Sequence, residues 1–261
     1  NYLLFEASDE HGYIKAATVT ATDLSSGEVL ATTTTNGEGE YAFALLNGLP
    51  EYVLIRLSGG TDISTNTLHE VPFMAIAKTN DGKSIENTHL TWLTTLIAMQ
   101  LEKLDSLTDT IIDDMKTKMA IVLGLDTHHT DQDHISSENH DVVELNQAFM
   151  IVTDVLLYGH PTLTPDKIVQ SISDVVASSP DTMNFATLND IQKIIDDVST
   201  ANSLSITSVE KANMSQYVTQ LIQRIVDEND GDNSFEAFMT FAKQLTIASR
   251  DYLQQNTVPF D

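Results

Sequence analysis

The stretch from Gly124 to Asp141 concentrates side chains that can ligate a metal ion. Its candidate ligands are histidines and aspartates, namely His128, His129, His134, His140, Asp131 and Asp133. Imidazole and carboxylate groups together suit zinc or another transition ion. Because the spacing matches no defined zinc motif, and because adjacent histidines need not face the same way, a second interpretation stays open. In that interpretation the segment is a polar surface loop with solvated histidines.

A second segment, Asp227 to Glu236, has the carboxylates and the glycine that are typical of calcium loops. Its candidate calcium ligands are Asp227, Asn229, Asp230, Asp232 and Glu236. The EF-hand register does not fit, because with Gly231 at the sixth position an apolar residue stands at both the first and the last position. A calcium site here would therefore be of another type. The alternative is an acidic loop in which Asp232 and Asn233 cap the following helix.

The sequence contains no signature of a known catalytic centre, since HExxH, GxSxG, GxGxxG and GxxxxGK[ST] do not occur in it. Acidic residues are numerous, but nothing in the sequence singles out a glycosidase-like carboxylate pair. The lone tryptophan, Trp92, lies at helical spacing among apolar residues, which favours packing over sugar stacking. We therefore predict no catalytic residue and prefer a structural or binding role to an enzymatic one.

Residues 1 to about 78 have the pattern of β-strands. Runs rich in Val, Thr, Ile, Tyr and Phe, such as YIKAATVTATD and EYVLIRL, alternate with turn sequences such as NGEG and SGGTD. In the first run Ala17, Val19 and Ala21 alternate with threonines, the period of a strand buried on one face. Six short strands at roughly ten-residue spacing predict a small antiparallel β-sandwich.

From about residue 88 the apolar period becomes helical, as in Leu93, Ile97 and Leu101. Start signals agree with this period: Thr164-Pro165 places a capping hydroxyl before a proline, and 207–210 and 233–236 have the spacing of capping boxes. Six or seven helices with short connections predict an irregular bundle. The predicted fold class is α+β, with a sandwich over residues 1–80 and an all-α domain over residues 81–261.

The charge balance limits the classes of partner. With 38 acidic and 13 basic residues the formal net charge is −25, which disfavours nucleic acid and anionic membrane surfaces and favours cations such as calcium. The chain has no cysteine, so disulfides and thiolate metal sites are excluded. No apolar run approaches the roughly 20 residues of a membrane span. Because the sequence begins at Asn1, we expect a processed product or a fragment of a longer protein.

The segment from Thr32 to Leu104 joins a Thr/Gly-rich hairpin to an amphipathic helix. Its motif residues are Gly39, Tyr41, Gly59, Gly60, Thr61, Asp62, Thr94, Thr95 and Leu96. With these residues the chain resembles large secreted and surface-anchored bacterial proteins, in which a carboxypeptidase-regulatory-like or Ig-like β-sandwich ends in a Gly-Gly-Thr-Asp turn before a "PLTTL"-type helix.

The resemblance extends over about 12–157, because Leu123-Gly124-Leu125 followed by Asp131 and Asp133 matches a second part of the pattern. The histidines of this loop depart from the pattern. The family is defined by its architecture and not by an activity. The resemblance implies an extracellular location, a sandwich followed by helices, and a role as a calcium-dependent adhesin or surface-protein module.

We therefore expect an extracellular structural or adhesive module, or a subunit of a bacterial surface assembly such as a filament, stabilised by calcium in preference to zinc. Its expected partners are proteins, including further copies or neighbouring surface modules, or glycans. One alternative is a carbohydrate- or peptide-binding module, which predicts an aromatic platform or an apolar cleft where the sandwich meets the helices. A second alternative is a hydrolase-associated domain with convergent carboxylates.

The N-terminal sequence YLLFE suggests a route to assembly. A strand at a chain end can pair with the open edge of a neighbouring sheet and so link two subunits. The alternative is that this strand pairs within its own sheet.

Overall fold

The computed structural model describes residues 5–6, 8–9, 12–44, 48–63, 66–80, 82–85, 88–131, 137–160, 162–229, 233–256 and 260. The chain forms two compact units. The first unit comprises residues 1–119 and 126–135, and the second comprises residues 120–125 and 136–261.

The first unit contains antiparallel β-structure. Its strands are β1 (Phe5–Glu6), β2 (Ser8–Asp9), β3 (Gly12–Lys15), β4 (Thr18–Asp23), β5 (Val29–Thr34), β6 (Glu40–Tyr41), β7 (Tyr52–Ser58), β8 (Thr61–Asp62), β9 (Phe73–Asn80) and β10 (Ser84–Ile85). The main sheet has five strands in the order β10-β9-β7-β4-β5. Two smaller sheets have the orders β2-β3-β8 and β1-β6. Because β1 pairs with β6 of the same chain, the described part of YLLFE follows the within-chain alternative.

Strand position explains the apolar patterns. Strand β7 lies at the centre of the main sheet, and its run YVLI is buried at four consecutive positions. Strand β5 lies at the edge and has exposed threonines. The predicted single strand YIKAATVTATD is instead divided into β3 and β4. The division falls at Ala16, whose φ of +57° lies outside the extended region.

Helix α1 (Trp92–Leu101) packs on β9 in the first unit. The Thr95 hydroxyl accepts a hydrogen bond of 2.9 Å from the Met74 backbone N–H. The ring centroids of Trp92 and Phe73 are 5.9 Å apart in an edge-to-face arrangement. Trp92 is 1% exposed, which confirms its predicted packing role.

The Gly-Gly-Thr-Asp turn brings the chain close to itself. Gly59 and Gly60 have φ values of +65° and +94°, as expected from a role in backbone geometry. A Cβ atom on Gly60 would lie 2.7 Å from side-chain atoms of Ala17 and Ile14 and 2.9 Å from the carbonyl oxygen of Lys15. Only glycine satisfies both the conformation and the space at this position.

The second unit is helical. Its helices are α3 (His140–Gly159), α4 (Pro165–Ser178), α5 (Leu188–Ala201), α6 (Ser208–Asn229) and α7 (Phe235–Gln255). Most of α2 (Asp109–Val122) and a 3-10 helix at Thr127–Asp131 belong to the first unit. Helix α3 packs against α4, α6 and α7. By length and composition α3 could cross a membrane, but 78% of its most apolar window is buried inside the structure, as is usual for a core helix. In the described residues, antiparallel sheet followed by seven α-helices confirms the α+β class.

The compact units do not divide at residue 80, where we predicted the domain boundary. Strand β10 extends to Ile85, and α1 together with α2 as far as Met119 belongs to the first unit. The reason is that α1 is apolar on all sides and buries nearly every residue. The boundary between the two units therefore lies further along the sequence than the point where strands give way to helices.

The helix-capping predictions had mixed outcomes. At the start of α6, the Thr207 N–H donates to the Glu210 carboxylate and the Glu210 N–H donates to the Thr207 hydroxyl, which confirms that capping box. The box predicted at 233–236 is wrong, because the Ser234 hydroxyl caps α7. Pro165 is the first residue of α4, but the Thr164 hydroxyl makes no capping hydrogen bond, so that part of the prediction is also wrong.

Candidate functional site

A pocket of about 160 Å³ lies in the first unit between β9, α1 and α2. We call it the junction pocket. Ala75 and Ala77 on β9 line one side, and because successive odd positions of a strand face the same way, their two methyl groups leave space over this part of the sheet. Ile97 and Leu101 of α1 and Ile112 of α2 supply apolar side chains. These side chains form one apolar wall made by regular elements, and polar side chains supply the rest of the lining.

The charged residues that line the junction pocket are basic. They are Lys78 from β9 and Lys116 from α2, and His89 lies nearby on the connection before α1. No acidic side chain lines the pocket in the part of the chain that the structure describes. This is unusual in a chain with 38 acidic and 13 basic residues. The pocket is therefore a local exception to the negative charge of the molecule.

Lys78 is held in place by its neighbours. Its ammonium group donates to the carboxylate of Asp109, the first residue of α2, and lies 5.9 Å from the centre of the Tyr52 ring. The Tyr52 hydroxyl donates to the same carboxylate at 2.7 Å. The hydrogen bond from Lys78, followed by that from Tyr52, lowers the pKa of Asp109. Burial, followed by the bond to Asp109, raises the pKa of Tyr52 well above its usual range.

His89 has a polar atom that the chain does not satisfy. Its ring is half-buried, and the buried Nδ1 atom has no hydrogen-bond partner among the described residues. Buried polar atoms in folded proteins nearly always have a partner, so an orphaned ring nitrogen needs an explanation. Because this nitrogen is shielded from solvent, a ligand in the pocket does not reach it, and the structure shows no partner that explains it among the described residues.

The first predicted metal segment does not form one cluster in the described residues. In the first unit His128 and Asp126 are 2.7 Å apart, and the rings of His128 and His129 meet edge to face with centroids 4.6 Å apart. Asp131 ends the 3-10 helix. Asp133 and His134 lie outside the described residues. His140 belongs to the second unit, where it begins α3.

His140 and Asn229, which we assigned to two different metal sites, meet in the second unit. The Nδ1 atom of His140 is 2.8 Å from the Asn229 amide oxygen, and the Asn229 amide nitrogen donates to the Glu144 carboxylate at 2.8 Å. The His140 ring stacks on Phe238, with centroids 5.0 Å apart and planes at 11°. This polar chain joins the end of α6 to α3 across 89 residues of sequence.

The remaining predicted calcium ligands are placed separately. Asp227 accepts a hydrogen bond from Gln223 on the same helix, and Glu236 lies in the first turn of α7. Asp230 and Asp232 lie outside the described residues. Across the described ranges, no three His, Asp or Glu side chains are grouped so as to hold a metal ion. Both polar atoms of the Asn229 amide are engaged with α3, so this residue fits a structural role better than a ligand role.

No sequence pattern singles out Lys78, His89 or Lys116. They are spread over 39 positions, and only the packing of α1 and α2 on β9 brings them together. The one available signal was that basic residues are rare in so acidic a chain, which makes the surroundings of each lysine worth considering.

Comparisons with protein-family models, with curated proteins and with solved structures found no match.

Proposed function

We propose that this chain is an adhesive binding module of a bacterial surface protein, and that its first unit holds a ligand in the junction pocket. The observation that carries the proposal is the pocket itself, which lies where the sheet meets the helices. The binding-module alternative predicts a cleft at that place. Ligand sites are commonly concave and combine apolar walls with polar groups that fix orientation, and the junction pocket has both kinds of lining.

The walls of the junction pocket support a preformed site. Strand β9 is hydrogen-bonded on both sides, to β7 and to β10, and α1 is fixed to it by the bond between Thr95 and Met74. Sites on regular elements lose less conformational entropy on binding than sites on loops. A pocket with such walls suits the repeated capture and retention of a ligand, which is what adhesion requires.

The extracellular location is proposed from the family resemblance and the composition. A cysteine-free chain with a net charge of −25 keeps a strongly repulsive surface, which favours solubility and contact with divalent cations. Modules of this kind act as partner-binding units in longer surface proteins, and the partner here is a protein or a glycan.

The binding proposal is tested by filling the pocket. Ala77→Leu adds three carbon atoms inside the junction pocket, and Ala31→Leu adds the same atoms on the edge strand β5. We expect a mixed panel of soluble fragments (acids, amines, amides and sugars) to shift the amide NMR signals of pocket residues in the wild type and in Ala31→Leu, and not in Ala77→Leu. Absence of any such shift in the wild type would contradict the proposal.

Calcium stabilisation is a second part of the proposal. Asp227 and Glu228 lie in the last turn of α6, and that turn has no basic residue. Carboxylates at a helix C-terminus are disfavoured by the helix dipole, so a bound cation would relieve an unfavourable arrangement. We propose that the connection between α6 and α7 binds calcium through Asp227, Asp230, Asp232 and Glu236.

Thermal unfolding tests the calcium proposal. A ligand at 100 times its Kd stabilises a protein by about 2.7 kcal/mol, which corresponds to a rise in Tm of roughly 5–10 °C. We expect calcium to give such a rise, EDTA to reverse it, and Asp227→Asn to reduce it. Asp166→Asn on α4 is a control with the same charge change. An equal Tm in calcium and in EDTA would contradict this part of the proposal.

A further inference from the structure

We propose that a second pocket of the first unit binds a lysine side chain of a protein partner. This pocket, which we call the acidic pocket, has a volume of about 190 Å³. It lies between the turn after β4, the start of β7 and the connection from α1 to α2. Leu101 lines both this pocket and the junction pocket. The inference goes beyond the proposed function, because it does not depend on what the junction pocket binds.

Apolar side chains supply most of the lining of the acidic pocket. Leu24 follows β4, Leu101 ends α1, and Leu104 and Leu107 lie on the connection to α2. Leu104 is 42% exposed, so a partner can reach its apolar surface from outside. Covering apolar surface that faces water is favourable, and the walls therefore favour an apolar stem.

Every charged residue that lines the acidic pocket in the described part of the chain is acidic. Asp23 ends β4, Glu51 precedes β7, and Glu102 and Asp105 follow α1. These are four of the twelve described lining residues, against 38 of 261 in the whole chain, so the lining is more acidic than the average of the molecule. Charge complementarity therefore selects a cationic partner group.

Asp23 is held in its ionised form. The Ser25 hydroxyl donates to its carboxylate at 2.7 Å, and the Ser25 backbone N–H donates to the same oxygen at 2.8 Å. These hydrogen bonds, the hydroxyl first, lower the pKa of Asp23. The carboxylate therefore keeps its negative charge at neutral pH.

The end of α1 adds to the negative potential of the acidic pocket. The C-terminus of a helix carries about half a negative charge, and cations near it are stabilised. The last turn of α1 has no basic residue, and its C-cap residue is Glu102. Lys103 comes next in the chain but is not among the lining residues. A bound cation would therefore relieve an unfavourable arrangement of charge.

The arrangement favours an ammonium group over a metal ion. Calcium takes about six to eight oxygen ligands that converge on one point, and across the described residues no three acidic side chains are grouped so as to hold an ion. A lysine has three N–H donors on a compact charge, and its apolar stem can lie along leucine walls while the ammonium stays near water and carboxylates. An arginine is suited instead to pairing its planar fork with a single carboxylate.

The size of the acidic pocket indicates the source of the ammonium group. Pockets for whole small molecules have volumes of roughly 300–1,000 Å³, and the acidic pocket is smaller, at about 190 Å³. It suits one side chain whose backbone stays outside. The inferred occupant is therefore a lysine on the surface of a protein partner.

The test uses the full chain and three probes at one ionic strength. N-acetyl-lysine methylamide carries the stem and the ammonium, N-acetyl-norleucine methylamide carries the stem alone, and methylammonium carries the charge alone. We expect the lysine probe to bind with a Kd of about 1–10 mM, measured from the NMR shifts of the Leu24 and Leu104 amides, and at least about fivefold tighter than the other two. Methylammonium binding as tight as that of the lysine probe would indicate only general attraction to a negative chain and would overturn the inference.

Matched variants assign the binding to the acidic pocket. The double variant Glu102→Gln, Asp105→Asn removes two lining charges, and Asp113→Asn with Asp114→Asn removes two exposed charges of α2 that do not line the pocket. We expect the first to weaken binding of the lysine probe at least about fivefold and the second to change it less than about twofold. Equal effects of the two double variants would overturn the inference.

A second matched pair tests the apolar wall. Leu104→Ser removes apolar surface from the acidic pocket, and Leu188→Ser does so at a leucine of similar exposure, 46%, in the second unit. We expect only Leu104→Ser to weaken binding of the lysine probe. An unchanged Kd in Leu104→Ser would show that the stem is not bound by this wall and would overturn the inference.

Two further probes test the source of the cation. N-acetyl-arginine methylamide presents a guanidinium, and 1,5-diaminopentane presents a free diamine. We expect neither to bind more than about twofold tighter than the lysine probe. Binding of either one more than about fivefold tighter would assign the pocket to arginine or to a free polyamine, and would overturn the assignment to lysine.

The Ala77→Leu variant separates this inference from the proposed function. It fills the junction pocket, so the lysine probe should bind it as it binds the wild type. Loss of lysine binding in Ala77→Leu would place the site in the junction pocket and overturn the inference. Lysine binding in the acidic pocket without any fragment binding in the junction pocket would support the inference and contradict the proposed function.

Discussion

One opposite-charge pair in the first unit and one in the second differ in burial. In the first unit the Lys78 and Asp109 side chains are 35% and 60% exposed. In the second unit Arg250 of α7 binds Asp154 of α3 through two hydrogen bonds of 2.9 and 3.1 Å, and these side chains are 17% and 5% exposed. The exposed pair leaves a cation beside a pocket, while the buried pair joins two core helices. From this difference in burial we predict that the exposed pair contributes to ligand binding and that the buried pair contributes to structural stability.

The buried pair should give the largest effect on stability. Arg250→Met keeps most of the side-chain volume but leaves the Asp154 carboxylate buried without its guanidinium. We expect the free energy of unfolding to fall by about 3–5 kcal/mol. Urea unfolding followed by circular dichroism at a helical wavelength measures it.

Two controls sharpen this comparison. Replacing both partners, Asp154→Leu with Arg250→Met, should recover much of the loss because no buried charge remains. Lys193→Met removes an exposed i,i+4 pair with Asp197, and the loss should stay within about 0.5 kcal/mol. A loss in Lys193→Met as large as in Arg250→Met would break the link between burial and structural role.

Glycines extend the comparison between the units to backbone packing. Gly60 of the first unit has a positive φ and no space for a Cβ atom, whereas a Cβ on Gly159 of the second unit would lie 3.6 Å from Met214, an ordinary contact. We expect Gly60→Ala to cost about 2–4 kcal/mol and Gly159→Ala to cost less than about 1 kcal/mol. Trp92 is the single tryptophan and lies in the first unit, so its fluorescence reports the Gly60 effect. Similar stabilities of the two variants would contradict the expectation.

Local patterns predicted the type of the longer elements, but the six predicted strands are ten in the described residues. Alternation at Val19 and Ala21 and the apolar run of β7 predicted strands, and the helical period from residue 88 predicted the helices. These signals work because burial repeats every two residues in a strand and about every 3.6 residues in a helix. The break at Ala16 was missed, since no turn residue marks it.

Long-range pairings could not be predicted in the same way. His140 and Asn229 are 89 residues apart, and the lining of the junction pocket combines β9, α1 and α2. The local sequence of each segment predicts that it is a strand or a helix. It does not predict which other segment packs on it. The helix cap at Ser234 shows the same limit at short range, because Asn233 and Ser234 are both good caps and the path of the backbone decides between them.

The exposed pair of the first unit should give the smallest effect on stability. The folded-state pKa of Asp109 is lowered by Lys78 and then by Tyr52, so the pair stabilises the fold above the unfolded pKa of about 3.9. That contribution is lost as the pH falls through the folded-state pKa. Because the Asp109 side chain is largely solvated, we expect Lys78→Met to leave the urea unfolding midpoint at neutral pH close to the wild-type value.

Carboxyl NMR titration measures this exposed pair directly. We expect Lys78→Met to raise the pKa of Asp109 toward its usual value, and Tyr52→Phe to raise it by a smaller amount, since the lysine is the larger cause. Lys15→Met in β3 removes a lysine that is not part of this network and should leave the titration unchanged. An unchanged pKa in Lys78→Met would mean that the pair between Lys78 and Asp109 does not form in solution.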